Sequence, residues 1–187
     1  MFVQGLGAET YLKLLELQDA GEVFALTEAS RDHLRRWLPW VDSTRTVAES
    51  EAFIASTLEQ FARGLGFQAG IWRGETLCGV VGMHPIDRAN RQGSIGYWIG
   101  AAYEGQGLVT LASRAVLAEA FGHYGLHRME IRAATGNARS RAVAERLGFT
   151  REGVVRDAEW LYDRYVDHVV FGMLEEEWRR AGRREGE

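Results

Sequence analysis

The 187-residue chain reads as a mixed α/β (α+β) domain. Short apolar runs of strand length cluster in its first half, and amphipathic helical segments alternate with them. A strand–loop–helix–strand unit from Ser94 to Thr135 surrounds a glycine pair, Gly105 and Gly107.

In chain order, Leu12 to Leu17 reads as a strand, followed by one or two helices through Trp37. Thr46 to about Arg63 has helical periodicity, with Val47, Ile54, Leu58 and Phe61 on one face, and GLG at Gly64 to Gly66 stops it. GFQAGIW and TLCGVVGMHPI, joined by Arg73-Gly74-Glu75, predict an antiparallel hairpin, and SIGYWIG (Ser94 to Gly100) a third strand. From Gly105 to about Tyr124 the apolar positions Leu117, Ala120, Phe121 and Tyr124 recur at helical spacing. HRMEIRAAT alternates as a strand, NARSRAVAERLGF forms a short helix, and YVDHVVFGML is the final strand. A chain of this length fits one domain over 1–187, with a polar tail from about 179 that is expected to fray.

Composition narrows the function. A net charge of −4 offers no general basic surface, so nucleic-acid binding as a primary role is disfavoured. The single cysteine, Cys78, allows neither an intrachain disulfide nor a multi-cysteine metal site and reads as a small core residue. The five histidines, His33, His84, His123, His127 and His168, show no metal-ligand spacing and read as structural, so no metal is expected. The N-terminus lacks the features of a signal peptide, and no apolar run approaches membrane-spanning length. The expectation is a soluble, cytoplasmic protein.

YEGQGLVT, Tyr103 to Thr110, places its glycines where a strand gives way to a helix. A helix start offers unpaired N–H groups and about half a positive charge, which suits a phosphate. The P-loop pattern fails for want of its lysine and spacing. The dinucleotide fingerprint is incomplete, because Thr110 replaces the third glycine and Glu130 sits inside its strand instead of ending it. A tight turn that merely closes a strand against a helix also fits the residues.

The same loop resembles motif A of the GCN5-related N-acetyltransferases (GNAT), a phosphate loop of pattern [RQ]xxGx[GA]. It departs at Glu104 and at Val109. NARSRAVAERLGF resembles the family's motif B. HLRRWLPW, GFQAGIW, IGYWIG, EGVVRDAEW and YVDHVVFGML together resemble its ribosomal-protein serine acetyltransferases, the RimJ/RimL type. These motifs occur in order from about Leu12 to Leu174.

The resemblance implies a GNAT fold, with acetyl-coenzyme A as acetyl donor and substrate. Backbone amides of Gly105, Gln106, Gly107, Leu108, Val109 and Thr110 would hold its pyrophosphate, so Glu104 is tolerable with its side chain turned to solvent. The strand backbone at Trp98 and Ile99 would pair with the pantetheine arm. Ser140 would protonate the leaving thiolate, with Asn137 beside the same arm, although Asn137 also reads as a plain N-cap and Ser140 as a polar first-turn residue. Tyr165 is the alternative acid, and Glu159 aligns with the subfamily's proposed general base. Trp37, Trp40, Tyr97 and Tyr165 would face the substrate, with core or dimer packing an equal reading for the WLPW tryptophans. One of Arg139, Arg141 and Arg146 could meet the phosphates at the adenosine end.

Acetyl transfer to an amine requires the amine to lose a proton, donors for the developing oxyanion and a proton for the thiolate. Freeing an α-amino group near pH 7 costs only about 1 kcal/mol, against about 4–5 kcal/mol for a lysine, so a single carboxylate suits a protein N-terminus more easily. The expectation is therefore N-terminal acetylation of a ribosomal or other protein with a Ser-, Thr- or Ala-type terminus, by direct transfer in a ternary complex. The subfamily suggests a homodimer. The alternatives are acetylation of a small amine (a polyamine or aminoacyl-nucleotide antibiotic) and a non-catalytic coenzyme A-binding protein, with a nicotinamide-dependent oxidoreductase more remote.

Overall fold

In the computed structural model, residues 3–7 and 9–184 are described. Strands β1 (Val3–Gly7) and β2 (Thr10–Leu14) lead into helices α1 (Ala20–Ala29), α2 (Arg31–Leu34) and α3 (Val47–Ala62). Strands β3 (Phe67–Arg73), β4 (Thr76–Met83) and β5 (Gln92–Ile99) follow, then α4 (Leu108–Phe121), β6 (Arg128–Ala134) and α5 (Ala138–Arg146). The chain ends with β7 (Thr150–Leu161), β8 (Arg164–Leu174) and α6 (Glu175–Arg184). The eight strands form one open sheet in the order β1-β2-β3-β4-β5-β6-β8-β7, antiparallel except for β5–β6. Among the described residues no helix is long and apolar enough to cross a membrane.

The first expected strand runs Thr10–Leu14 instead of Leu12 to Leu17, because the chain turns into a 3-10 helix at Leu17–Asp19. The other expected helices and strands are present, and β1, the long β7 and α6 join them. Residues 179–184 of the polar tail are helical, and the remainder, 185–187, lies outside the described residues. Thr46 and Glu49 close a capping box at the start of α3, and Gly64, at φ 64°, follows its end. The buried face of α3 is narrower than expected: Ile54 is fully buried and Leu58 packs on the core, whereas Val47 and Phe61 are each 39% exposed. A helix resting on a sheet buries only the stripe it presents, and Ser50, Ile54 and Thr57 form that stripe.

The sheet separates two cores. On one face Leu117 of α4 and Val143 of α5 pack with Ile71, Val81, Met129 and Phe171 of the strands. On the other, Val23 of α1 and Ile54 of α3 pack with Leu15, Trp72 and Val80. With both faces covered, β3 and β4 are nearly continuously buried, which explains their unbroken apolar sequence.

One local feature of the sheet creates the site. β5 pairs with β4 over Ile95–Ile99, but with β6 only over Gln92–Ser94. Beyond Ser94 the parallel neighbours part, and the sheet opens between Tyr97–Trp98 and the end of β6.

Candidate active site

The opening joins two cavities, one of about 950 Å³ and one of about 960 Å³. Both are lined by Trp37, Leu38, Tyr97, Trp98, Asn137 and Ser140, so they meet at the fork. The first runs to the glycine loop and α5, and the second is walled by α1, α3 and the β7–β8 hairpin.

At the glycine loop, Gly105 (φ 71°) and Gly107 (φ 75°) adopt the left-handed conformation that L side chains resist, and a Cβ on either would meet open space. The glycines are thus demanded by backbone shape, and the space above the loop is free. Gly107 caps α4 without a side chain, leaving the first amides of the helix, from Leu108 to Thr110, facing the first cavity. Gln106 braces the loop: its amide donates to the Ala102 carbonyl at 3.1 Å, and its oxygen accepts from Arg73 at 2.8 Å. This combination of open backbone, bare helix start and cavity fits a pyrophosphate. The backbone of Trp98 and Ile99, hydrogen-bonded to β4 on one side and free of β6 on the other, is available to an extended ligand arm.

Asn137 caps α5, its Oδ1 accepting the Ser140 N–H at 3.1 Å. That turn aims the Ser140 hydroxyl at the fork, where its Oγ lies 3.1 Å from the Tyr97 hydroxyl. Tyr97 also donates to the Ser140 carbonyl at 3.1 Å. Burial pushes the Tyr97 phenol up to about 12, so it stays neutral and able to donate.

Glu159 reaches the second cavity because of an irregularity in β7. Val155 pairs with His168 and Glu159 with Val166, so β7 carries two extra residues in between. Asp157 takes φ 49° there, and its N–H donates to the Asp167 carboxylate at 2.9 Å. Glu159 then lies 3.5 Å from His168 Nε2, and both line the cavity.

The WLPW segment forms a wall of this cavity. Trp40 tilts against Trp98 at 5.9 Å, and Trp37 lies over Gly136 at the fork. Tyr162, between β7 and β8, holds the segment by donating to the Leu38 carbonyl at 2.6 Å, with the Arg35 guanidinium over its ring at 4.0 Å.

Several expectations change. Tyr165 is 60% exposed, packs edge-on against Trp160 and lines neither cavity, so the tyrosine at the fork is Tyr97. Glu104 does not turn to solvent: it pairs with Arg139 and lies 3.5 Å from His33, with only 22% of its side chain exposed. Of the three arginines, Arg139 and Arg146 line the first cavity, and Arg141 does not. His84 and His168 line the second cavity, which the lack of metal spacing gave no reason to foresee. Burial raises the Cys78 thiol, in keeping with a core residue.

A family model described as Acetyltransferase (GNAT) domain matches residues 10–150. The chain is 35% identical over 179 residues to Putative ribosomal N-acetyltransferase YdaF of Bacillus subtilis (strain 168), covering 95% of this chain and 98% of that protein. It is 27% identical over 152 residues to Ribosomal-protein-serine acetyltransferase of Escherichia coli (strain K12), covering 81% and 85%. Among solved structures, Microcin C7 self immunity acetyltransferase MccE, in complex with acetyl-CoA and AMP, superposes with a TM-score of 0.85 at 29% identity over 90% of this chain and 94% of that one. The forked sheet, the open glycine loop and these matches converge: the chain belongs to the GNAT family, in its RimJ/RimL-type branch, and is an acetyl-coenzyme A-dependent N-acetyltransferase.

Proposed function

We propose that the protein acetylates the α-amino group of a protein N-terminus, in a ribosomal or other protein beginning with Ser, Thr or Ala, by direct transfer in a ternary complex. The observation that carries this reading is the meeting of two cavities at Ser140, with the phosphate-fitting loop in one and Glu159 in the other. In this reading the loop amides of Gly105–Thr110 and the Trp98–Ile99 backbone hold acetyl-coenzyme A, with Asn137 beside its arm. Ser140, backed by Tyr97, supplies the hydrogen that the leaving sulfur needs. Glu159 takes the proton of the amine, a modest task for an α-amino group. Trp37 and Trp40 shape the acceptor side. The names of the relatives from B. subtilis and E. coli support a ribosomal acceptor.

A second reading, acetylation of a small amine such as an aminoacyl nucleotide, is favoured by the aromatic acceptor wall and the likeness to MccE. Thiol release from acetyl-coenzyme A, measured with Ser-, Thr- and Ala-initiated peptides and with polyamines and aminoacyl nucleotides, separates the two. Faster turnover of peptides supports the first. Coenzyme A binding without turnover of any amine overturns both in favour of a non-catalytic binder.

A cytoplasmic homodimer completes the reading. Val154, Val155 and Trp160, exposed on the β7–β8 hairpin, are the apolar surface such a dimer would cover, and sedimentation velocity reads its presence.

A further inference from the structure

His84 follows the last residue of β4, and its N–H donates to the Ser94 carbonyl at 2.9 Å. Its ring does not lie in the core. It crosses onto β5, where Nδ1 stands 3.2 Å from Ser94 Oγ. The far side of the ring rests over Gly96: a Cβ there would come within 2.4 Å of Nε2 and 2.7 Å of Cε1. Any other residue at 96 would evict the imidazole, so the glycine gives it its seat. His84, Ser94 and Gly96 all line the second cavity, together with Glu159 and His168 from the other side of the fork. Gly96 lies two residues before Trp98, about 6.6 Å along the strand.

We infer that His84 binds the acetyl acceptor: Nε2, held over Gly96 by the contact with Ser94, accepts a hydrogen bond from the primary amine that is to be acetylated. The inference rests on the acetyl-transfer reading above. In the tautomer whose Nδ1–H donates to Ser94 Oγ, Nε2 carries only a lone pair and is a pure acceptor. An amine or ammonium offers only N–H donors on that side, so the two are complementary. The ring is exposed to the cavity, and partial desolvation by the cavity walls lowers its pKa, favouring the neutral form that can accept. Glu159 and His84 thus approach the acceptor from opposite walls, one to take a proton and one to hold the nitrogen.

The test is steady-state kinetics with acetyl-coenzyme A and two acceptors, a Ser-initiated hexapeptide and spermidine, on wild type, His84→Ala, His84→Gln and Gly96→Ala. For whichever acceptor the wild type acetylates, His84→Ala should raise KM by about tenfold or more, the scale of a hydrogen bond to a charged group. KM for acetyl-coenzyme A should stay within about twofold. His84→Gln, whose side-chain oxygen can accept the same bond, should recover most of the loss. Gly96→Ala should reproduce His84→Ala with the histidine still present, which separates a lost contact from a misfolded variant. An unchanged acceptor KM in His84→Ala, an equal rise in both KM values, or a glutamine variant no better than alanine would overturn the assignment while leaving the acetyl-transfer reading intact. Failure of the wild type to acetylate either amine would overturn that reading and this assignment with it.

Discussion

The Tyr97 hydroxyl lies 3.1 Å from Ser140 Oγ, joining the strand that forks the sheet to the helix that lines the fork. Ser140 alone is a weak acid for a thiolate. A neutral phenol can turn its one O–H from the Ser140 carbonyl to Oγ as the serine gives up its own hydrogen, and burial keeps Tyr97 in that neutral form. Tyr97→Phe is expected to lower kcat about tenfold and Ser140→Ala about 10²-fold or more, the lower range for general acid catalysis, with little change in the Kd of coenzyme A. Stopped-flow thiol release checks both, and a Tyr97→Phe variant with wild-type kcat would remove the tyrosine from the chemistry.

The same burial has a stability consequence. A phenol raised from 10 to about 12 on folding stabilises the native state fully below pH 10. As pH climbs from 10 toward 12 the unfolded chain loses the proton first, and up to about 2–3 kcal/mol is lost. Thermal melts over that range should fall more steeply for the wild type than for Tyr97→Phe.

Glu159→Gln distinguishes acceptor classes by magnitude. If the acceptor is an α-amine, the free base is only about 1 kcal/mol away at neutral pH, so the loss in kcat/KM should be about tenfold and shrink above pH 8. If it is a lysine-like amine, the gap of about 4–5 kcal/mol predicts a loss of about 10³-fold at pH 7. The pH profile of the variant on both substrates reads the difference.

Glu104→Gln removes a negative charge from the mouth of the phosphate-fitting loop and frees Arg139. Arg139 is 77% exposed, and an exposed pair contributes only about 0–1 kcal/mol, so the melting temperature should change by a few degrees at most. Coenzyme A, an anion, should bind several-fold more tightly by calorimetry, with turnover intact. A marked loss of affinity would mean that the bridge to Arg139 and His33 holds the loop in its binding shape.

The narrow buried face of α3 is testable by stability alone. Ile54→Ala, at a fully buried position, should cost about 2–5 kcal/mol, and Val47→Ala, on the exposed side, no more than about 0.5 kcal/mol. Urea denaturation of both variants measures the contrast.

Sequence by itself determined the strands and helices whose patterning is local. The hairpin around Gly74, the glycine-started α4 and the Asn137-capped α5 each depend on residues within a few positions of one another. Motif order also pointed to the family. β7 was not legible, because most of its residues are exposed and two irregularities, after Arg151 and after Val155, break its alternation, so no period of two survives. Only the tertiary structure decided the site. The fork depends on where two parallel strands stop pairing, the aim of Glu159 on an irregularity held by Asp167 ten residues away, and the seat of His84 on a missing side chain in the neighbouring strand. Those relationships are set by register and close packing between distant segments, which no local pattern encodes.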